Sequence, residues 1–197
     1  MTNLNQLIIK FDYEQNFKDD DFYVSNSNKH IFKLLNQWPK WGKNFLNING
    51  EKFSGKSHLA KIFIKKFQGI KLEANSLSEE SLKMVKLHEN VILENLSKQI
   101  NEKLFYSLLN IIDLDNKFII ITSEKPIVDI EFELSDLKSR AKNFLLQKIE
   151  KPDDELMFAL ILKNLSDRQI SLDKKLIDFI IKRIDRSYGK IFDFIYK

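Results

Sequence analysis

Eight consecutive residues carry the most specific chemistry in this sequence: Gly50-Glu51-Lys52-Phe53-Ser54-Gly55-Lys56-Ser57. In the pattern GxxxxGK[ST], backbone N–H groups of the loop and of the following helix converge on phosphate. The lysine neutralises the β and γ groups, and the serine hydroxyl holds Mg²⁺. The plainer reading is a glycine turn with a lysine at a helix start. Phe53 stands where many such loops carry glycine or another small residue, which bears on how closely this loop fits around phosphate. His58 is grouped with the loop as a packing or polar neighbour and not as a base. His30, His58 and His88 are widely separated, and no HExxH or CxxC pattern accompanies them.

Such a loop works only between a strand and a helix. Phe45-Leu46-Asn47-Ile48 reads as the strand before it, and Leu59, Ile62, Phe63 and Phe67 give the helix after it an apolar face. Further strands are expected at Ile70–Leu72, Val91–Leu93, Phe118–Thr122 and Phe144–Leu146. Helices are expected after Ser27 or Asn28, from about Ser78 to Val85, and around Leu104 to Ile112. Apolar strands alternating with amphipathic helices predict an α/β fold with a mostly parallel sheet covered on both faces. Pro152 followed by Asp153 and Asp154 signals a helix start. From there the pattern is helical: Asp154–Leu165, Asp173–Ile184, and Ser187 to the end. The expected organisation is an arm over 1–21, an α/β nucleotide-binding domain over 22–150 and a small helical lid over 151–197.

Composition narrows the function classes. The 197 residues are 43% hydrophobic and 12% aromatic, which is globular, and contain no cysteine for disulfides or thiolate metal sites. No apolar run approaches a membrane span, and the first residues lack the features of a secretory signal, so a cytoplasmic location is expected. Net charge is +4, but 28 of the 32 basic residues are lysine. From Lys151 onward ten basic and eight acidic residues interleave, a solvated surface more than a nucleic-acid footprint. The four arginines, Arg140, Arg168, Arg183 and Arg186, stand out for their scarcity.

Over almost its whole length the chain resembles the DnaA-related regulators of Hda type, AAA+ proteins of bacterial replication control. The resemblance rests on Gln6 to Phe11, Gly50 to Leu59, Val91 to Leu96 and Leu134 to Arg140. It continues through Pro152-Asp153-Asp154, Ser166 to Gln169 and Arg183 to Ser187. It implies an AAA+ domain with a parallel five-stranded sheet, a helical lid, and ATP or ADP with Mg²⁺ as ligand. In that family the third strand ends in two acids, one ordering the metal shell and one activating water. Here they are Glu94 and Asn95, and an amide cannot accept a proton from water, so slow or absent hydrolysis is expected. The pair also reads as an ordinary polar strand end.

The resemblance places Thr122, followed by Ser123, at the γ-phosphate sensor, although both also suit a strand end before the Pro126 turn. Arg140 matches the finger that acts on a neighbour's nucleotide; a surface salt bridge is the ordinary alternative. Lys190 is the best basic candidate for the second sensor, and Tyr23, Val24 and Asn28 fall where the adenine-side segment lies. Gln6, Leu7, Ile9 and Phe11 resemble the family's peptide for the DNA polymerase sliding clamp (β subunit), with the glutamine as anchor and apolar side chains entering a pocket. An edge strand is the other reading.

The resemblance implies DnaA and the sliding clamp as partners and stimulated hydrolysis of DnaA-bound ATP as function. A DNA-binding initiation factor is the first alternative. It is disfavoured by the expectation that no helix-turn-helix domain follows Lys197, so direct DNA binding is expected to be weak. A stand-alone P-loop ATPase is the second, disfavoured by Asn95.

Overall fold

The computed structural model describes residues 22–196; Gln6, Leu7, Ile9 and Phe11 lie outside them. The elements run α1 (Lys29–Asn36), β1 (Phe45–Asn49), α2 (Lys56–Phe67), β2 (Ile70–Glu73), α3 (Glu79–Val85), β3 (Asn90–Leu96), α4 (Glu102–Leu114), β4 (Phe118–Ser123), α5 (Ser135–Ala141) and β5 (Leu145–Lys148). Three helices follow: α6 (Asp154–Asp167), α7 (Lys174–Ile181) and α8 (Tyr188–Tyr196). Among the described residues all strand pairings are parallel, in the order β2-β3-β4-β1-β5.

Strand alternation divides the core. Leu93, Ile119 and Ile121 face Phe105, Leu108 and Ile112 of α4 on one side of the sheet. Leu46, Ile48, Ile92 and Ile120 face Ile31 of α1 and Leu59, Ala60 and Phe63 of α2 on the other. Central strands buried on both faces are why β3 and β4 read as unbroken apolar runs. Each fully buried Ile or Leu contributes about 1.5–3 kcal/mol relative to exposure, so these two strands anchor whatever their C-terminal ends carry. A third cluster, Met157, Ile161, Leu165, Ile177, Ile181, Ile191 and Ile195, joins α6, α7 and α8.

Several boundaries depart from the sequence reading. The fifth strand begins at Leu145 because Phe144 is buried against Phe45, with ring centroids 5.3 Å apart. Ser135–Ala141, too short and polar for its apolar spacing to announce a helix, is a two-turn helix that buries Leu137 and Ala141, four residues apart. Asn28 occupies the cap position of α1 without capping it. Its side chain accepts from Ser25 N and donates to Tyr23 O, both at 3.0 Å, and so folds the entry segment. Ser27 donates to Lys151 O at 2.9 Å, tying that segment to the start of α6. There Asp153 is the true cap, accepting from Leu156 N at 2.8 Å. Among the described residues no helix is long and apolar enough to cross a membrane.

Candidate nucleotide site

The loop from Gly50 to Gly55 leaves β1 at the centre of the sheet and enters α2. Gly50 N donates to Ser123 O at 3.2 Å, which docks the loop on the end of β4. Gly55 caps α2 at φ +90°, and a Cβ there would stand 3.1 Å from the Phe22 ring, so glycine is required on two counts. Among the described residues no side chain caps α2, which leaves its first N–H groups open to a ligand. The buried Lys56 ammonium donates to Gly50 O and Glu51 O, each at 2.8 Å. Burial pushes its pKa below the usual lysine range, partly offset by the carboxylates of Glu124 and Glu51. Ser54 is buried, and its hydroxyl has no partner among the described residues.

Lys52 to His58 form one wall of a cleft of about 850 Å³. Asn95 to Lys98 beyond Glu94, with Glu124, Lys125 and Asp129 to Glu131, form a second wall. Leu160 and Asn164 of α6 and Tyr188, Phe192 and Tyr196 of α8 supply the third. His58 lies edge-on to Phe22 at 5.3 Å, a packing role.

Two loop residues fasten this cleft to α8. Glu51 accepts from Tyr188 N at 3.2 Å, from Gly189 N at 3.1 Å and from the Ser187 hydroxyl. Its carboxylate therefore caps the last helix. Phe53 holds φ +67°, a conformation costly for a bulky residue. Its ring stacks on Phe192 at 3.9 Å and 2°, Phe192 stacks on Tyr196 at 4.4 Å, and the Arg168 guanidinium lies 4.3 Å over Tyr196. The sequence suggested that Phe53 affects the phosphate fit; the structure also makes it the first ring of a ladder.

At the end of β3, Glu94 is buried. One oxygen, Oε2, meets Lys71 Nζ of β2 at 2.9 Å; Oε1 has no hydrogen-bond partner among the described residues. Asn95 follows at φ +60°, where pairing with β4 is irregular. Its N–H donates to Thr122 Oγ1 at 3.1 Å and its amide to Glu73 Oε2 at 2.9 Å. Asparagine tolerates this left-handed conformation far better than most residues. Thr122 is buried behind the cleft and positions Asn95. Ser123 is engaged by Asn47 and by Lys125 O, at 2.9 and 2.6 Å.

The remaining expected residues lie elsewhere. Arg140 donates to Asn110 Oδ1 at 2.5 Å, faces Asp113 at 3.6 Å and lies 5.3 Å over the Tyr106 ring, away from its own cleft. Lys190 is exposed on α8 and does not line the cleft. Tyr23 donates to Glu155 at 2.6 Å and lines a different groove, beside α6 and α7; Val24 packs against the α1–α2 core. Lys71, Glu73, Asn47, Phe192 and Tyr196 were missed. Alternation along a strand reaching Glu73 would have put Lys71 and Glu73 on one face, but only the pairing register brings that face to Glu94.

A parallel sheet with the strand order given above, a phosphate-type loop after β1 and helices lining the cleft beside it make up an α/β fold. No protein-family model matches the sequence, and no curated protein sequence does. Solved structures match. AMPPCP-bound DnaA from Aquifex aeolicus aligns with a TM-score of 0.70 at 22% identity, over 87% of this chain and 61% of that one. Domain III of the Thermotoga maritima replication initiation protein DnaA gives 0.63 at 19%, over 86% and 82%. A variant of Thermotoga maritima RuvB gives 0.65 at 16%, over 89% and 62%. At these identities the likeness is one of fold, and the chain spans about three-fifths of the Aquifex DnaA and RuvB chains it matches.

Proposed function

We infer that this chain is a DnaA-related nucleotide-binding regulator of replication initiation. The observation that carries the nucleotide reading is the loop Gly50–Ser57, seated at the base of the cleft with a desolvated lysine and an uncapped helix start. A polyphosphate offers Lys56 a charged acceptor in place of two neutral carbonyls and uses the N–H groups at the start of α2. The AMPPCP named with the Aquifex DnaA structure agrees in ligand class.

The chemistry of two residues suits magnesium beside the same loop. Glu94 Oε1 is a buried acceptor without a partner among the described residues, and Ser57 lines the cleft. These two residues would hold the ion, which would supply charge neutralisation at the β and γ oxygens. Asn95 offers no base, so the protein's own turnover is slow and bound nucleotide serves to order the sheet against its helical lid.

The regulatory part rests on the resemblance. Gln6, Leu7, Ile9 and Phe11 dock on the sliding clamp, and Arg140 is presented to ATP on DnaA, where an arginine finger is worth roughly 10³–10⁵ in rate. To act in trans, Arg140 leaves Asn110 and Asp113, contacts that a partly exposed side chain gives up at little cost. The test is hydrolysis of ATP preloaded on DnaA in the presence of DNA-loaded clamp. Stimulation that disappears in Gln6→Ala and Arg140→Ala supports the reading; an Arg140→Ala protein that is folded, clamp-bound and fully stimulating contradicts it.

A further inference from the structure

We propose that the outer face of α1, α2 and the turn between α1 and β1 binds the phosphate backbone of duplex DNA without regard to sequence. The inference does not rest on the nucleotide reading above; it concerns the surface of the layer that covers the other side of α2 from the sheet.

Charge is unevenly distributed along the chain. Residues 22–72 hold ten lysines and one acid, Glu51, whereas residues 73–197 hold 22 acids. A chain-wide preference for lysine over arginine raises the first count but does not remove acids. The single acid is engaged elsewhere, since Glu51 caps α8. Of the lysines, Lys56 is buried at the phosphate-type loop, Lys52 lines the cleft and Lys71 meets Glu94. The other seven are exposed and belong to α1, α2 and the turn that joins α1 to β1.

Helix geometry gathers them on one side. Ile31 and Leu35 turn α1 toward the core, so Lys29 and Lys33, one turn apart, point outward. Leu59, Ala60 and Phe63 do the same for α2 and leave Lys61 and Lys65 outside. Trp41 donates to Leu34 O at 2.7 Å and packs on Phe63 at 5.4 Å, which holds the turn carrying Lys40 and Lys43 against both helices. Lys66 donates to Asn36 Oδ1 at 2.7 Å and Lys29 to Asn26 Oδ1 at 2.6 Å; these neutral acceptors leave the positive charge in place. Lys33, Lys40, Lys43 and Lys61 have no carboxylate partner among the described residues.

Three features select the partner. Lysine is a point charge on a flexible stem, suited to phosphate oxygens and not to the two-pronged contacts that arginine makes with base edges. Trp38, Trp41, Phe63 and Phe67 pack on one another, so this face offers no ring for an unpaired base to stack on. Among the described residues, α1, α2 and the turn expose no large apolar side chain for entry into a lipid surface. A dense, regular row of phosphates, as on a duplex, matches what is left.

The experiment is fluorescence anisotropy of a labelled mixed-sequence duplex, titrated with the full chain between about 50 and 200 mM salt. Saturable binding is expected at the low end, with log K falling against log salt at a slope of about −4 to −6. Combining Lys33→Gln, Lys40→Gln and Lys61→Gln should make the slope shallower by about 2–3 and weaken low-salt binding at least about tenfold. Combining Lys174→Gln, Lys175→Gln and Lys182→Gln on the lid lowers net charge equally and should stay within about threefold of wild type. All six positions are exposed, and thermal melts verify that each variant keeps the fold. No saturable binding by the folded wild type, or equal losses in the two triple variants, overturns the inference. So does tighter binding to the single strand, or to phosphatidylserine vesicles at equal phosphate concentration.

Discussion

Replacing Glu51 with alanine removes the cap of α8 without touching either the core or the residues expected to meet phosphate most directly. The carboxylate accepts from Tyr188 N, Gly189 N and the Ser187 hydroxyl, across a separation of more than 130 residues. Loss of a helix cap costs about 0.5–2 kcal/mol, and a negative charge at a helix N-terminus adds about 0.3–1 kcal/mol. Glu51 is exposed, so screening holds the sum toward the lower part of that range, about 1–2 kcal/mol. For a chain of this size each kcal/mol shifts Tm by about 2–4 °C, so Glu51→Ala is expected to melt roughly 2–8 °C lower. Glu51→Gln keeps an acceptor but not the charge and should fall between. Amide exchange should rise at Tyr188 to Lys190 and spread through α8, leaving β3 and β4 protected. A Glu51→Ala, Ser187→Ala cycle should be non-additive, since both residues share one contact. Melting within about 0.3 kcal/mol of wild type, with unchanged exchange in α8, would refute the assignment of Glu51 as the residue that joins the loop to the last helix.

Phe53 separates backbone strain from ring stacking. Phe53→Ala loses the Phe192 contact and keeps φ +67°, whereas Phe53→Gly loses the contact and relaxes the backbone. The alanine variant should therefore be less stable than the glycine variant by about 1 kcal/mol, read by urea melts; the reverse order would refute the strain. Burial, then the Asp153 charge, raises the Tyr188 phenol above its usual pKa, opposed by the hydrogen bond with Ser27. A raised folded pKa gives stability that is present below the ordinary value of 10.0 and lost as pH climbs through the folded one. Tyr188→Phe should flatten that alkaline loss in melts above pH 10, and an identical profile would contradict it. Asn95→Glu places a carboxylate opposite Glu73 and in a left-handed conformation, so by itself it should not raise phosphate release. Asn95→Glu with Glu73→Gln should exceed the single variant, and equal rates would count against the Glu73 contact.

What the sequence made legible follows from the range of the interactions involved. Spacing alone singled out Gly50 to Ser57, because the motif is a short local run between a strand and a helix, which the structure shows as β1 and α2. Unbroken apolar runs located β3 and β4, because burial on both faces leaves no polar alternation to blur them. The contacts that complete the cleft are long-range. Nothing in the local pattern says that Glu51 reaches Ser187, that Phe53 stacks on Phe192 or that Lys71 meets Glu94. Asn95 illustrates both sides. Its amide chemistry was readable, yet its positive φ and its bond to Glu73 depend on the β3–β4 irregularity and on the β2 register. Asn28 failed as a cap for a similar reason, since a tertiary turn through Ser25 and Tyr23 took its side chain.

The most direct test of the central claim is calorimetric titration of the purified chain with ATP and with ADP, set beside Lys56→Ala. One saturable site is expected, with affinity that falls at least roughly thirtyfold when the desolvated ammonium is removed. No saturable binding to the folded wild type, or binding of equal strength in Lys56→Ala, would contradict it.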